Sequence, residues 1–133
     1  MRALPRCAVI VVASTALVAG AASGLAWAQG EWKADPQCVS SAKNPVKGFG
    51  TAKKVIETNC VTCHGASGKG DGPAAAALPP PKPANWTSAR VQGESDAVLF
   101  CKISAGRGAM PPWKHLPEKE RWEIVNYIRT LKK

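Results

Sequence analysis

The sequence predicts an all-α domain. Three stretches, residues 49–63, 95–105 and 117–131, repeat apolar side chains at three- and four-residue steps, the period of one helical face. No strand-like alternation flanks the cysteine pair at positions 60 and 63. The stretches between are rich in Gly and Pro, which turn the chain rather than extend it. At 133 residues the chain holds one small domain and a modest core.

Each element follows from its residues. In the first helix, Phe49, Ala52, Val55, Ile56, Asn59 and Cys60 share a face, and Lys53, Lys54 and Glu57 lie on the other side. Residues 65–83 read as a loop, because Gly65, Gly68, Gly70 and Gly72 are followed by Pro73, Pro79, Pro80, Pro81 and Pro83. The Gly-x-Gly-x-Gly run invites a phosphate-loop reading. It follows a helix rather than a strand and lacks the Gly-Lys-Ser/Thr ending, so the glycines are read as letting the chain turn tightly beside a bound group. Ala74 to Leu78 has room for one helical turn, and Trp86 reads as a core aromatic. Ser95 is placed to cap the second helix, with Asp96 in its first turn and Gly106 and Gly108 at its end. The last helix opens on Pro117 and Glu118 and carries Trp122, Val125, Tyr127, Ile128 and Leu131 as its apolar stripe. Its partner is the first helix, where Ala52 is small enough for Tyr127 or Ile128 to approach closely.

The chemistry lies in Cys60-Val61-Thr62-Cys63-His64. A C-x-x-C-H run is the attachment signature of c-type haem. Two thiols three positions apart reach the vinyl edges of one porphyrin, and His64 then offers an imidazole nitrogen to the iron. A zinc site would want a second pair of ligands at ligand spacing, and a redox dithiol would want a βαβ frame. Met110 is the only methionine besides Met1. It stands on a loop stiffened by Pro111 and Pro112, which suits a distal axial ligand better than core filler. His115 is the competing distal donor.

The N-terminus is read as a secretory signal peptide over residues 1–28. Arg2 and Arg6 precede an uncharged apolar run, and Ala26-Trp27-Ala28 fits a cleavage site. The competing reading is an uncleaved anchor. Residues 29–47, with Pro36 and Pro45 and no periodicity, are read as an irregular extension, and residues 48–133 as the domain. The chain carries 18 basic and 9 acidic residues. An exported chain without a dense basic and aromatic cluster does not point to nucleic acid, so the excess fits docking on acidic protein surfaces. Lys69, Lys82, Lys102, Arg107 and Lys114 lie in segments placed to ring the exposed haem edge.

Residues 48–133 resemble the class I monohaem cytochromes c. The likeness rests on Cys60-x-x-Cys63-His64-Gly65, the Gly-Lys-Gly-Asp-Gly-Pro loop at 68–73, Met110-Pro111-Pro112-Trp113 and the closing Tyr127-Ile128-Arg129-Thr130-Leu131. The resemblance implies crossed N- and C-terminal helices around one covalent haem c with its iron. It implies Cys60 and Cys63 as thioether residues, His64 as proximal ligand and Met110 as distal ligand. Ala52 stands where the family often has Gly, and Cys38 and Cys101 lie outside its usual pattern. Those two either bridge, as leftover cysteines in exported proteins do, or remain as an exposed and a buried thiol. The function implied is electron transfer by a soluble periplasmic one-electron carrier, not an enzyme. Its partners would be redox proteins, and a membrane would enter only through a partner or an uncleaved anchor. The alternative is a haem-bearing subunit of a larger periplasmic oxidoreductase.

Overall fold

A computed structural model describes residues 31–133, so the expected signal peptide lies outside the described residues. Six helices follow in order: α1 Pro36–Ser41, α2 Ala52–Asn59, α3 Val61–His64, α4 Ala89–Gly93, α5 Asp96–Ala105 and α6 Glu118–Thr130. Among the described residues there is no strand; the one bridge pairs Arg107 with Met110. None of these helices is long and apolar enough to cross a membrane.

Three local features differ from the periodic reading. The extension contains α1, where Pro36 takes the first helical position and Asp35 accepts a bond from the Gln37 N–H at 2.9 Å. Six residues are too few to display a period. The first helix is interrupted at Cys60, whose φ of −115° opens the turn between α2 and α3. The third difference is α4, which a Ser88 cap starts by accepting from the Val91 N–H at 3.4 Å. The Ser95 cap stands as its sequence suggests, accepting from the Val98 N–H at 3.3 Å.

The core is built around α6, which packs against both α2 and α5. Ala52 on α2 is 0% exposed, and Trp122, Val125 and Ile128 of α6 are buried with it. A side chain that ends at Cβ lets the two helix backbones close on each other. Trp122 stacks on Phe100 of α5 with ring centres 4.0 Å apart, and the Arg121 guanidinium lies 4.6 Å from the other ring centre of that pair, Phe100.

Polar groups of α6 then tie the remaining elements. Glu123 is only 2% exposed, and its carboxylate accepts the Thr51 N–H and hydroxyl, each at 3.1 Å, and a bond from Lys119. It therefore caps α2, whose own Thr51 side chain makes no capping bond. Gly50 allows this approach, since a Cβ there would stand 2.4 Å from a Glu123 oxygen. Asn126 donates to the Val46 and Gly48 carbonyls at 3.0 and 2.6 Å. Arg129 donates to the Asp96 carboxylate at 2.8 Å and to the Gln92 carbonyl at 3.1 Å, and also reaches the Glu94 carbonyl, joining the end of α4 to the start of α5.

The bond from Lys119, with those from Thr51, outweighs burial and holds the Glu123 carboxyl below the usual carboxylate range. A carboxyl depressed in the fold stabilises it at neutral pH and loses that contribution as pH falls through its folded pKa. Glu123→Gln should cost about 1.5–3 kcal/mol at neutral pH, the range for bonds to a charged group. In urea melts across pH, the deficit against the unsubstituted protein should shrink below the carboxylate range. A pH-independent deficit would show that the charge is not what matters.

Candidate haem site

The site begins with a four-residue helix that could not stand alone. Helix ends leave their last carbonyls without intrahelical partners, and α3 is nothing but ends. The glycine loop supplies the donors. The Val61, Thr62, Cys63 and His64 carbonyls accept from the backbone N–H groups of Gly65 at 2.8 Å, Ala74 at 2.9 Å, Gly72 at 3.2 Å and Gly70 at 2.8 Å. The loop glycines thus serve the cysteine-bearing helix, where the sequence reading placed them against the bound group. Gly72 shows the constraint most directly: a Cβ there would lie 2.4 Å from the Thr62 carbonyl oxygen and 2.5 Å from that of Val61.

Cys60, Cys63, His64 and Met110 line one cavity of about 540 Å³. Val91, Leu99, Ile103, Ile124 and Ile128 make its apolar walls, with Trp86 and prolines 81, 83 and 111 beside them. The volume is in the range of cofactor pockets. A second groove, of about 530 Å³ between residues 45–47 and Glu118, Lys119 and Trp122, is lined by no Cys, His or Met and is open to solvent.

His64 is buried and oriented on two sides. Its Nδ1 lies 3.1 Å from the Ala84 carbonyl oxygen, and its ring stacks on Trp86 at 4.5 Å with 23° between planes. A carbonyl can only accept, so Nδ1 carries the proton and Nε2 keeps a free lone pair, the arrangement that orients a metal-binding histidine. Burial pushes the His64 pKa below its usual value, against the opposing effect of the Ala84 bond. The imidazole is therefore neutral at neutral pH, as a metal ligand must be. Trp86 takes the core role its sequence suggests.

The cysteines divide into two pairs. Cys60 and Cys63 are free and half-buried, while Cys38 and Cys101 form a disulfide with Cα atoms 6.0 Å apart. The bridge joins α1 to α5 and resolves the alternative that the sequence leaves open. Burial, with Cys63 nearby, pushes the Cys60 thiol up to about 11.

Met110 is held by its backbone. The Arg107 N–H donates to the Met110 carbonyl at 2.9 Å and the Met110 N–H returns to the Arg107 carbonyl at 3.0 Å, closing a tight turn after α5. The Trp113 N–H donates to the Ile103 carbonyl at 3.2 Å, fixing the far side of the two prolines. The competing donor His115 is exposed, rests on Trp113 with ring centres 5.3 Å apart, and is not among the residues lining the cavity. The protein's donor set therefore fits a haem: two thiols on one turn, a neutral imidazole and a thioether, all facing one apolar cavity.

The basic rim is partly corrected. Lys102 is 8% exposed and lies inside, its Nζ 2.7 Å from Glu94. Lys82 is exposed and lines the cavity, as does the half-buried Arg107, and Lys82 also donates to the Ala76 and Leu78 carbonyls at 2.9 and 2.6 Å. Lys69 and Lys114 are exposed. Glu31 and Trp32 also line the cavity, which sequence reasoning missed because they lie 28 or more positions before Cys60 with no periodic pattern to announce them.

A family model described as Cytochrome c matches residues 50–132. Among solved structures, a chain of the reducing HAO-like protein complex Kustc0457/Kustc0458 of Kuenenia stuttgartiensis is similar at 27% identity and a TM-score of 0.58. That match covers 68% of this chain and 46% of the other, so the present chain spans less than half of its neighbour's length. The KustC0563 c-type cytochrome is similar at 28% identity and a TM-score of 0.51, over 62% of this chain and 98% of its own. No curated protein sequence matches.

Gly72→Ala should lower stability by about 1–3 kcal/mol, the usual cost of forcing a methyl into packed backbone, and reduce the yield of covalently haem-loaded protein. Thermal melts and the ratio of haem absorbance to protein measure both. Unchanged values would show that the loop does not support α3.

Proposed function

Since the chain belongs to the cytochrome c family and serves haem-based electron transfer through covalently bound c-type haem, we propose that it is a soluble, exported one-electron carrier, with Cys60 and Cys63 as the thioether residues and His64 and Met110 as the axial ligands. The observation that carries this is the meeting of those four side chains in one cavity, from two segments that are 46 positions apart at His64 and Met110. The haem supplies the chemistry, a change of one electron between ferric and ferrous iron.

The chain's own residues set the conditions. Cys60 and Cys63 would hold the macrocycle by thioether bonds, and the Ala84 carbonyl, which takes the His64 Nδ1 proton, would leave Nε2 free to bind iron. The doubly bonded turn before Pro111 holds the thioether in place. A thioether raises the reduction potential relative to stronger donors, and the apolar walls exclude water, which acts in the same direction. His64 and Met110 would together leave the iron no open position for substrate, which supports a carrier rather than an enzyme.

Export to the periplasm is supported by the leader-like residues 1–28 and by the Cys38–Cys101 disulfide, which suits an oxidising compartment. Loss of Arg2 and Arg6 with the leader leaves 16 basic against 9 acidic residues, a balance that favours acidic surfaces on redox partners. A haem-bearing subunit of a larger oxidoreductase is the second reading, favoured by the similarity to a chain of the HAO-like protein complex. Purification from the native source separates the two: a free carrier elutes alone, a subunit with its partners.

Optical spectra of the oxidised and reduced protein test the ligation. The oxidised protein should show the weak sulfur-to-iron charge-transfer band, and Met110→Ala should abolish it, lower the potential and open the ferrous iron to carbon monoxide. Absence of the band in the unsubstituted protein, with ready carbon monoxide binding, would replace the carrier reading by a catalytic or sensing one.

A further inference from the structure

Residues 31–41 lie outside the stretch that the cytochrome c family model matches, yet Glu31 and Trp32 among them line the haem cavity. Trp32 is half-buried and forms part of the cavity lining. Its ring centre lies 5.5 Å from the Lys102 ammonium and 6.0 Å from the central carbon of the Arg107 guanidinium, both within the reach of cation–π attraction. Lys102 is itself buried, bonded to Glu94, and lines the same cavity.

The segment is fixed a short distance downstream. Asp35 caps α1, α1 packs on α5, and Cys38 is bonded to Cys101. Cys101 and Lys102 are consecutive on α5. A covalent bond and an aromatic contact thus hold one short segment to two adjoining positions of the helix that walls the cavity.

We propose that Trp32, held in place by the Cys38–Cys101 disulfide, is a wall of the haem site that raises the reduction potential by keeping water off this side of the cavity. The proposal rests on the electron-transfer reading above and adds to it a residue that the family pattern does not contain. Its physical basis is charge. The ferric centre carries one more positive charge than the ferrous, so water admitted to the cavity favours the ferric form. Removing Trp32 therefore lowers the potential, and this requires no change in the axial ligands.

The test uses the full haem-loaded protein and the variants Trp32→Ala, Trp32→Phe and Cys38→Ala. Covalent haem content and the methionine charge-transfer band are recorded first. If the unsubstituted protein lacks either, the ligation reading fails, independently of Trp32. Potentials then come from spectroelectrochemical titration, with thermal melts alongside. Trp32→Ala should shift the midpoint to lower potential with the charge-transfer band retained. Trp32→Phe should restore most of the shift, since an apolar ring still closes the wall. Cys38→Ala should shift the midpoint in the same direction, because the segment is released while Trp32 remains. An unchanged potential in Trp32→Ala overturns the proposal. A shift in Trp32→Ala with none in Cys38→Ala overturns the part assigned to the disulfide. Because Trp32→Ala keeps the bridge, it decides the wall even where Cys38→Ala folds poorly.

Discussion

The crossing of α2 and α6 is the contact on which the rest of the structure depends. It is close because Ala52 contributes only a methyl group, and it is polar as well as apolar because Glu123 enters from α6 to cap α2. A buried carboxylate is costly unless its lone pairs are used. Here the Thr51 N–H, the Thr51 hydroxyl and the Lys119 ammonium use them. The same helix continues with Asn126, which donates to Val46 of the extension, and Arg129, on the ends of α4 and α5. One helix of 13 residues therefore carries both the apolar seam and the long-range polar ties of the domain.

That frame leaves a cavity of about 540 Å³ at its centre. Protein interiors are close-packed, and an empty apolar volume of this size would forfeit dispersion contacts along its whole lining. A covalently attached haem resolves the contradiction by acting as core. Aliphatic and aromatic side chains make most of the walls, charged groups such as Glu31, Glu94 and Lys102 share the lining, and Cys60, Cys63, His64 and Met110 bring two thiols, an imidazole and a thioether to it. The packing problem of a small domain and the requirement for a dry redox centre are met by the same residues.

The charges divide between surface and interior. Lys102, Arg121 and Arg129 serve internal partners: a carboxylate, an aromatic face and a helix end. A count of basic residues therefore overstates the positive surface presented to a partner. Of the cations expected at the haem edge, Lys69, Lys82 and Lys114 are exposed.

The features legible in the sequence are those written locally. The C-x-x-C-H spacing fixes two sulfurs and an imidazole within two helical turns, whatever surrounds them. The apolar steps of α6 and the Ser95 cap depend on neighbours three or four positions away and stand as read, whereas α5 buries every residue from 99 to 104, Lys102 and Ser104 included, rather than one face. The break at Cys60 and the short helices α1 and α4 are hidden, because fewer than two turns carry no period. Proximity through space is decided only by the tertiary structure. It pairs Cys38 with Cys101 across 63 positions, caps α2 from 72 positions away, turns Lys102 inward and brings Trp32 to the haem cavity. Each of these is a distance between segments that the sequence does not encode locally, and it exists only once α6 has closed the core.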